Sequence, residues 1–101
     1  MNSHGKGSDR SAALYRALLT LKTPEECYAF FEDLCTVSEQ MAMEQRFEVA
    51  MLLDQGSIYS EVLEKTGVSS ATVSRVKRSL NFGAGGYRSV LNHMKETEQP
   101  S

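Results

Sequence analysis

Between residues 67 and 78 the chain reads Gly-Val-Ser-Ser-Ala-Thr-Val-Ser-Arg-Val-Lys-Arg, and its polar members are the best equipped in the sequence to recognise another molecule. The hydroxyls of Ser69, Ser70, Thr72 and Ser74 can donate and accept hydrogen bonds, and Arg75, Lys77 and Arg78 place cations beside them. Base edges and phosphates of double-stranded DNA offer the complementary groups. Covalent chemistry is poorly supported by comparison. Cys27, Cys35 and the serines have no His or carboxylate at a spacing that would activate them, so no catalytic residue and no enzyme are expected. His4 and His93 lack a Cys or His neighbour at ligand spacing, so no metal site or cofactor is expected. Asn81-Phe82-Gly83-Ala84-Gly85-Gly86 is glycine-rich, but no strand precedes it and no Lys-Ser/Thr follows; it reads as an interhelical turn, not a phosphate cradle.

The elements that must hold these residues are all helical. Gly67 suits the point where a helix stops and the chain swings, Val68 plugs the angle, and Ser69 or Ser70 caps the next helix. Val73 and Val76 then face inward, leaving Ala71, Thr72, Ser74 and Arg75 outward. This is the pattern of a helix-turn-helix, expected at about 58–80, with its second helix spanning about 70–80 and its first about 59–66. Ser57 is the nearest cap for that first helix, which carries the acidic Glu61 and Glu64. Upstream, Leu14, Ala17, Leu18 and Leu21 form a helical stripe over 9–21. Thr23-Pro24-Glu25-Glu26 starts a second helix and Thr36 with Glu39 a third, running to about residue 55 and apolar on several sides. A last helix is expected from Tyr87 to about residue 96, with Tyr87, Val90, Leu91 and Met94 on one side. The expectation is six helices, no strands and one domain over 9–96, between a polar arm at 1–8 and a frayed tail at 97–101.

The 101 residues carry a net charge of −2, which by itself disfavours a polyanion as partner. The distribution reverses this. From Lys65 to Arg88 there are five basic residues and no acidic one, whereas residues 1–64 hold five basic and eleven acidic. A protein acidic in general and basic along one segment directs that segment at nucleic acid. Lys65, Ser69, Ser70, Ala71, Thr72, Ser74, Arg75, Lys77 and Arg78 are the expected DNA-contacting set, with Arg88 a further phosphate donor. No apolar run is long enough to span a membrane and no secretion signal is visible, which points to the cytoplasm and to reduced cysteines. Leu, Phe and Met stripes on four helices exceed what so short a chain can wrap around one centre, so a second copy is expected to cover them. A competing reading keeps the helix-turn-helix shape but makes the protein a helical protein-interaction module. The overall acidity and the Met41, Met43 and Met51 series on the third helix favour it.

From Thr36 to about Leu91 the sequence resembles the tryptophan-repressor-like family. The resemblance rests on Thr36 to Glu39 before a long helix, Arg46 within it, Gly56 at its end, Gly67, Ala71-Thr72-Val73-Ser74-Arg75 and Ser79-Leu80. The turn 81–87 looks more like a small bacterial branch than like the repressor itself. The resemblance implies an intertwined all-α homodimer acting as a DNA-binding transcription regulator, a repressor on a palindromic operator. It further implies a small-molecule effector site at the matching positions Thr36, Arg46, Arg75 and Ser79. Where the family's pocket has glycine this chain has Val76, whose branched side chain would stand in the place of an indole, so tryptophan is disfavoured as that effector. An ion pair with carboxylates near Glu44 or Glu48 is the competing role for Arg46.

Overall fold

A computed structural model describes residues 9–98, which contain six α-helices and no strand: α1 (Asp9–Leu18), α2 (Pro24–Leu34), α3 (Val37–Asp54), α4 (Tyr59–Thr66), α5 (Ser70–Phe82) and α6 (Gly86–Glu98). The arm expected at 1–8 and the end of the tail, 99–101, lie outside the described residues.

Most helix starts follow from side chains a few residues away. The Thr23 hydroxyl accepts from the Glu26 N–H at 3.1 Å, while the Glu26 carboxylate accepts from the Lys22 N–H at 2.8 Å. At α3 the exchange is reciprocal: Thr36 accepts from the Glu39 N–H at 3.1 Å, and Glu39 accepts from the Thr36 N–H at 2.9 Å. The start of α4 differs from expectation. The Ser57 N–H closes the end of α3 by donating to the Leu52 carbonyl at 3.0 Å, which leaves Ile58 at the N-cap. Ile58 offers no side-chain acceptor to α4, but its own N–H is satisfied by the Glu61 carboxylate at 3.2 Å.

Helix ends shift for equally local reasons. α1 stops at Leu18, short of residue 21, because the Thr20 hydroxyl and N–H both donate to the Ala17 carbonyl, at 2.7 and 3.0 Å. Asn81 and Phe82 join α5, so the turn before α6 shrinks to 83–85. Gly83 is required there on steric grounds: a Cβ at this position would run into the Ser79 carbonyl oxygen. α6 starts at Gly86 and continues to Glu98, beyond the expected end.

The chain divides into two compact units, one up to Gln40 and one from Met41 onward. The second holds the apolar core: Val49 and Ala50 of α3, Val62 of α4, Val73, Val76 and Leu80 of α5, and Leu91 of α6. Phe47 and Tyr87, half-buried at its margin, stack with ring centroids 6.4 Å apart. α3 is less enclosed than its sequence suggests, with Met41 exposed and Met51, Leu52 and Leu53 half-buried. In the first unit α2 has no buried residue, and Leu19 and Val37 are 84% and 75% exposed.

Candidate nucleic-acid interface

The site is built by α4, the turn 67–69 and α5. Gly67 sits at φ 72, ψ 11, and its N–H closes α4 on the Leu63 carbonyl at 3.0 Å. Thr66, a residue the sequence did not single out, secures the turn from inside. It is buried, its hydroxyl donates to the Val62 carbonyl at 2.8 Å, and the Val68 N–H approaches the Thr66 Oγ1 at 3.4 Å. Val68 packs half-buried against the core. Ser69 rather than Ser70 is the cap of α5: its Oγ accepts from the Thr72 N–H at 3.1 Å and lies 3.1 Å from the Thr72 hydroxyl.

The valines anchor α5 by one face, and the opposite face is open. Val73 and Val76 are buried to within 1%, whereas Ser70, Ala71, Ser74, Arg75, Lys77 and Arg78 are exposed and Thr72 is half-buried. Lys65 is exposed in the last turn of α4. Asp54 pairs with Arg88 and with Lys95, whereas Lys65, Arg75, Lys77 and Arg78 make no ion pair among the described residues and keep uncompensated charge. Arg88 differs from expectation: its guanidinium is engaged with Asp54 and is not a free phosphate donor. Glu61, acidic beside this surface, accepts from the Ile58 N–H at the start of α4.

Of the expected effector set, Arg46 and Arg75 come together. They line a cavity of ≈ 230 Å³ with Ala42, Gln45, Val68, Ser69 and Thr72, and neither arginine makes an ion pair among the described residues. Ser79 is not among the residues lining it. It borders a larger, apolar cleft of ≈ 520 Å³ with Phe47, Tyr87 and Val90. Thr36 belongs to the first unit, where its hydroxyl caps α3. Val76 is 1% exposed and part of the core, and it is not among the residues lining this cavity. The reason is the helical period, which turns Val76 to the same side as Val73 and away from Arg75. Gln45 went unrecognised, although it precedes Arg46 on α3 and was the available signal.

An exposed, cation-bearing helix held behind a glycine turn by a short supporting helix defines a helix-turn-helix protein of the DNA-binding kind. The family model described as "Trp repressor protein" matches residues 10–95, and the chain belongs to that family of DNA-binding regulators, which is not enzymatic. Over 88 residues it is 49% identical to the uncharacterised protein YerC of Bacillus subtilis, a match that covers 87% of this chain and 85% of that one. Among solved structures it resembles a candidate Trp repressor from Staphylococcus aureus, with a TM-score of 0.83, 44% identity and coverage of 87% of this chain and 88% of that one. A TrpR-like protein from Eubacterium eligens also gives a TM-score of 0.83, at 45% identity over 88% of this chain and 92% of that one. No helix among the described residues is long and apolar enough to cross a membrane.

Proposed function

We propose that the protein is a cytoplasmic, homodimeric transcriptional repressor that reads a palindromic operator with α5. The observation that carries this reading is the two-sided character of α5: valines buried on one face, hydroxyls and unpaired cations on the other. Ser70, Ala71, Thr72 and Ser74 meet base edges, directly or through water, while Lys65, Lys77 and Arg78 hold phosphates. Dimerisation is supported by the apolar side chains left open on the first unit, Tyr15, Leu19, Tyr28, Leu34 and Val37, all more than half exposed. One short helix reads only a few base pairs, and a two-fold partner doubles the site. A small effector is bound between Arg46 and Arg75. Two guanidiniums, the Gln45 amide and two hydroxyls suit a carboxylate-bearing molecule.

Selection from random duplexes tests the reading. The expected result is an enriched palindrome with half-sites about one helical turn, roughly 34 Å, apart. No enrichment, together with no duplex affinity at low salt, would instead favour a protein-interaction module. Thermal-shift measurements with amino acids and small carboxylates test the effector; stabilisation lost in Arg46→Ala is the expected result.

A further inference from the structure

We propose that Asp54 is the positioning residue of the reading head: by tying α6 to the end of α3, it fixes the angle at which α4 and α5 leave the scaffold. The inference rests on the DNA-reading function proposed above. Asp54 is the last residue of α3, and its side chain is only 7% exposed although it is a carboxylate. Oδ1 accepts from Arg88 at 2.5 Å and Oδ2 from Lys95 at 2.7 Å. Arg88 and Lys95 lie seven residues apart on α6, two turns along one stripe, so each oxygen holds a different turn of the same helix. Sliding or rotating α6 would break one contact or the other.

Topology gives this clamp its leverage. Asp54 and Arg88 are 34 positions apart, and everything between them is the helix-turn-helix with its flanking turns. The chain leaves α3 at Asp54, forms α4 and α5, and returns at the start of α6, so the clamp grips both ends of the excursion. The core beneath the head consists largely of valines, whose packing is tight but not directional. Paired, oriented hydrogen bonds to charged groups supply the direction. α5 passes beside the clamp: Lys77 and Asn81 border a ≈ 420 Å³ cleft together with Asp54 and Arg88. A head released from this clamp would still fold and still attract phosphates. It would lose the fixed separation between the two reading helices of a dimer.

The test compares the full-length wild type with Asp54→Asn, Asp54→Glu and Lys95→Gln. Each binds the selected operator, the same operator with its spacer changed by one base pair, and a single half-site, all well below each variant's Tm. In Asp54→Asn, discrimination between correct and altered spacers is expected to fall about tenfold, while half-site affinity stays within about twofold. Asp54→Glu is expected to recover part of it. Lys95→Gln, which keeps the Arg88 pair, is expected to give a smaller loss and retains the test if Asp54→Asn does not fold. A lowered Tm with wild-type spacer discrimination would overturn the positioning role. A wild type that enriches no duplex would remove the reading on which it rests.

Discussion

Arg75 stands where the two proposed tasks meet, since it lies on the open face of α5 and also lines the cavity shared with Arg46. Replacing each arginine in turn separates the tasks. Arg75→Ala is expected to cost about 1–3 kcal/mol in operator binding with or without effector. Arg46→Ala is expected to leave effector-free binding unchanged and to abolish the response to effector, both measured by fluorescence anisotropy. Asp54 allows a prediction in pH. Hydrogen bonds from Lys95 and then Arg88, reinforced by their charges and opposed by partial burial, hold its carboxyl below the ordinary value of 3.8. A carboxyl depressed in the native state adds stability above the unfolded-state pKa and loses it as pH falls through the native one. The stability difference between wild type and Asp54→Asn, taken from urea denaturation, should therefore be constant near neutrality. It should shrink from about pH 4 downward. The sequence narrowed the α5 cap to Ser69 or Ser70 because donor and acceptor of a cap lie a few residues apart, and the structure selects Ser69. The sequence concealed the Asp54 pairs because two whole helices separate it from its partners on α6, although two cations seven apart on that helix were a visible sign.

At the scale of elements, all six helices were legible because capping and periodicity are short-range. The discrepancies lie at helix boundaries, where a local turn decides which residue opens or closes the element. Ser57 was read as a cap for α4, but its backbone belongs to the turn that closes α3, which puts Ile58 at the cap position, and Thr20 ends α1 by donating to the Ala17 carbonyl. The two turns that bound α5 respond differently to the same substitution. Gly67→Ala meets nothing within 4 Å, and its left-handed backbone should cost about 1–2 kcal/mol. Gly83→Ala drives a methyl group into the Ser79 carbonyl and must displace the last turn of α5, so it should cost more. Denaturant midpoints of the two variants check the order. Losing the cap in Ser69→Ala should cost about 1 kcal/mol and fray the end of α5 nearest the DNA.

For the whole molecule, charge distribution is the readable property and assembly the unreadable one. Lys65, Arg75, Lys77 and Arg78 are unpaired among the described residues, while Arg88 is bound to Asp54. Plots of log K against log salt should therefore flatten by about 0.9 for each phosphate contact removed by Arg78→Ala, counted once per protomer. The apolar stripes of α1, α2, α3 and α6 pointed to a second copy, but a stripe names no partner, and its depth of burial is set by whatever covers it. Those open side chains reach beyond shape. Under the proposed dimerisation, a chain that leaves these side chains open has its integrity coupled to its own abundance, so its melting temperature should climb as it is concentrated. Operator occupancy would then follow expression more steeply than in simple proportion, and a modest fall in synthesis would free the promoter sooner than the number of surviving molecules suggests.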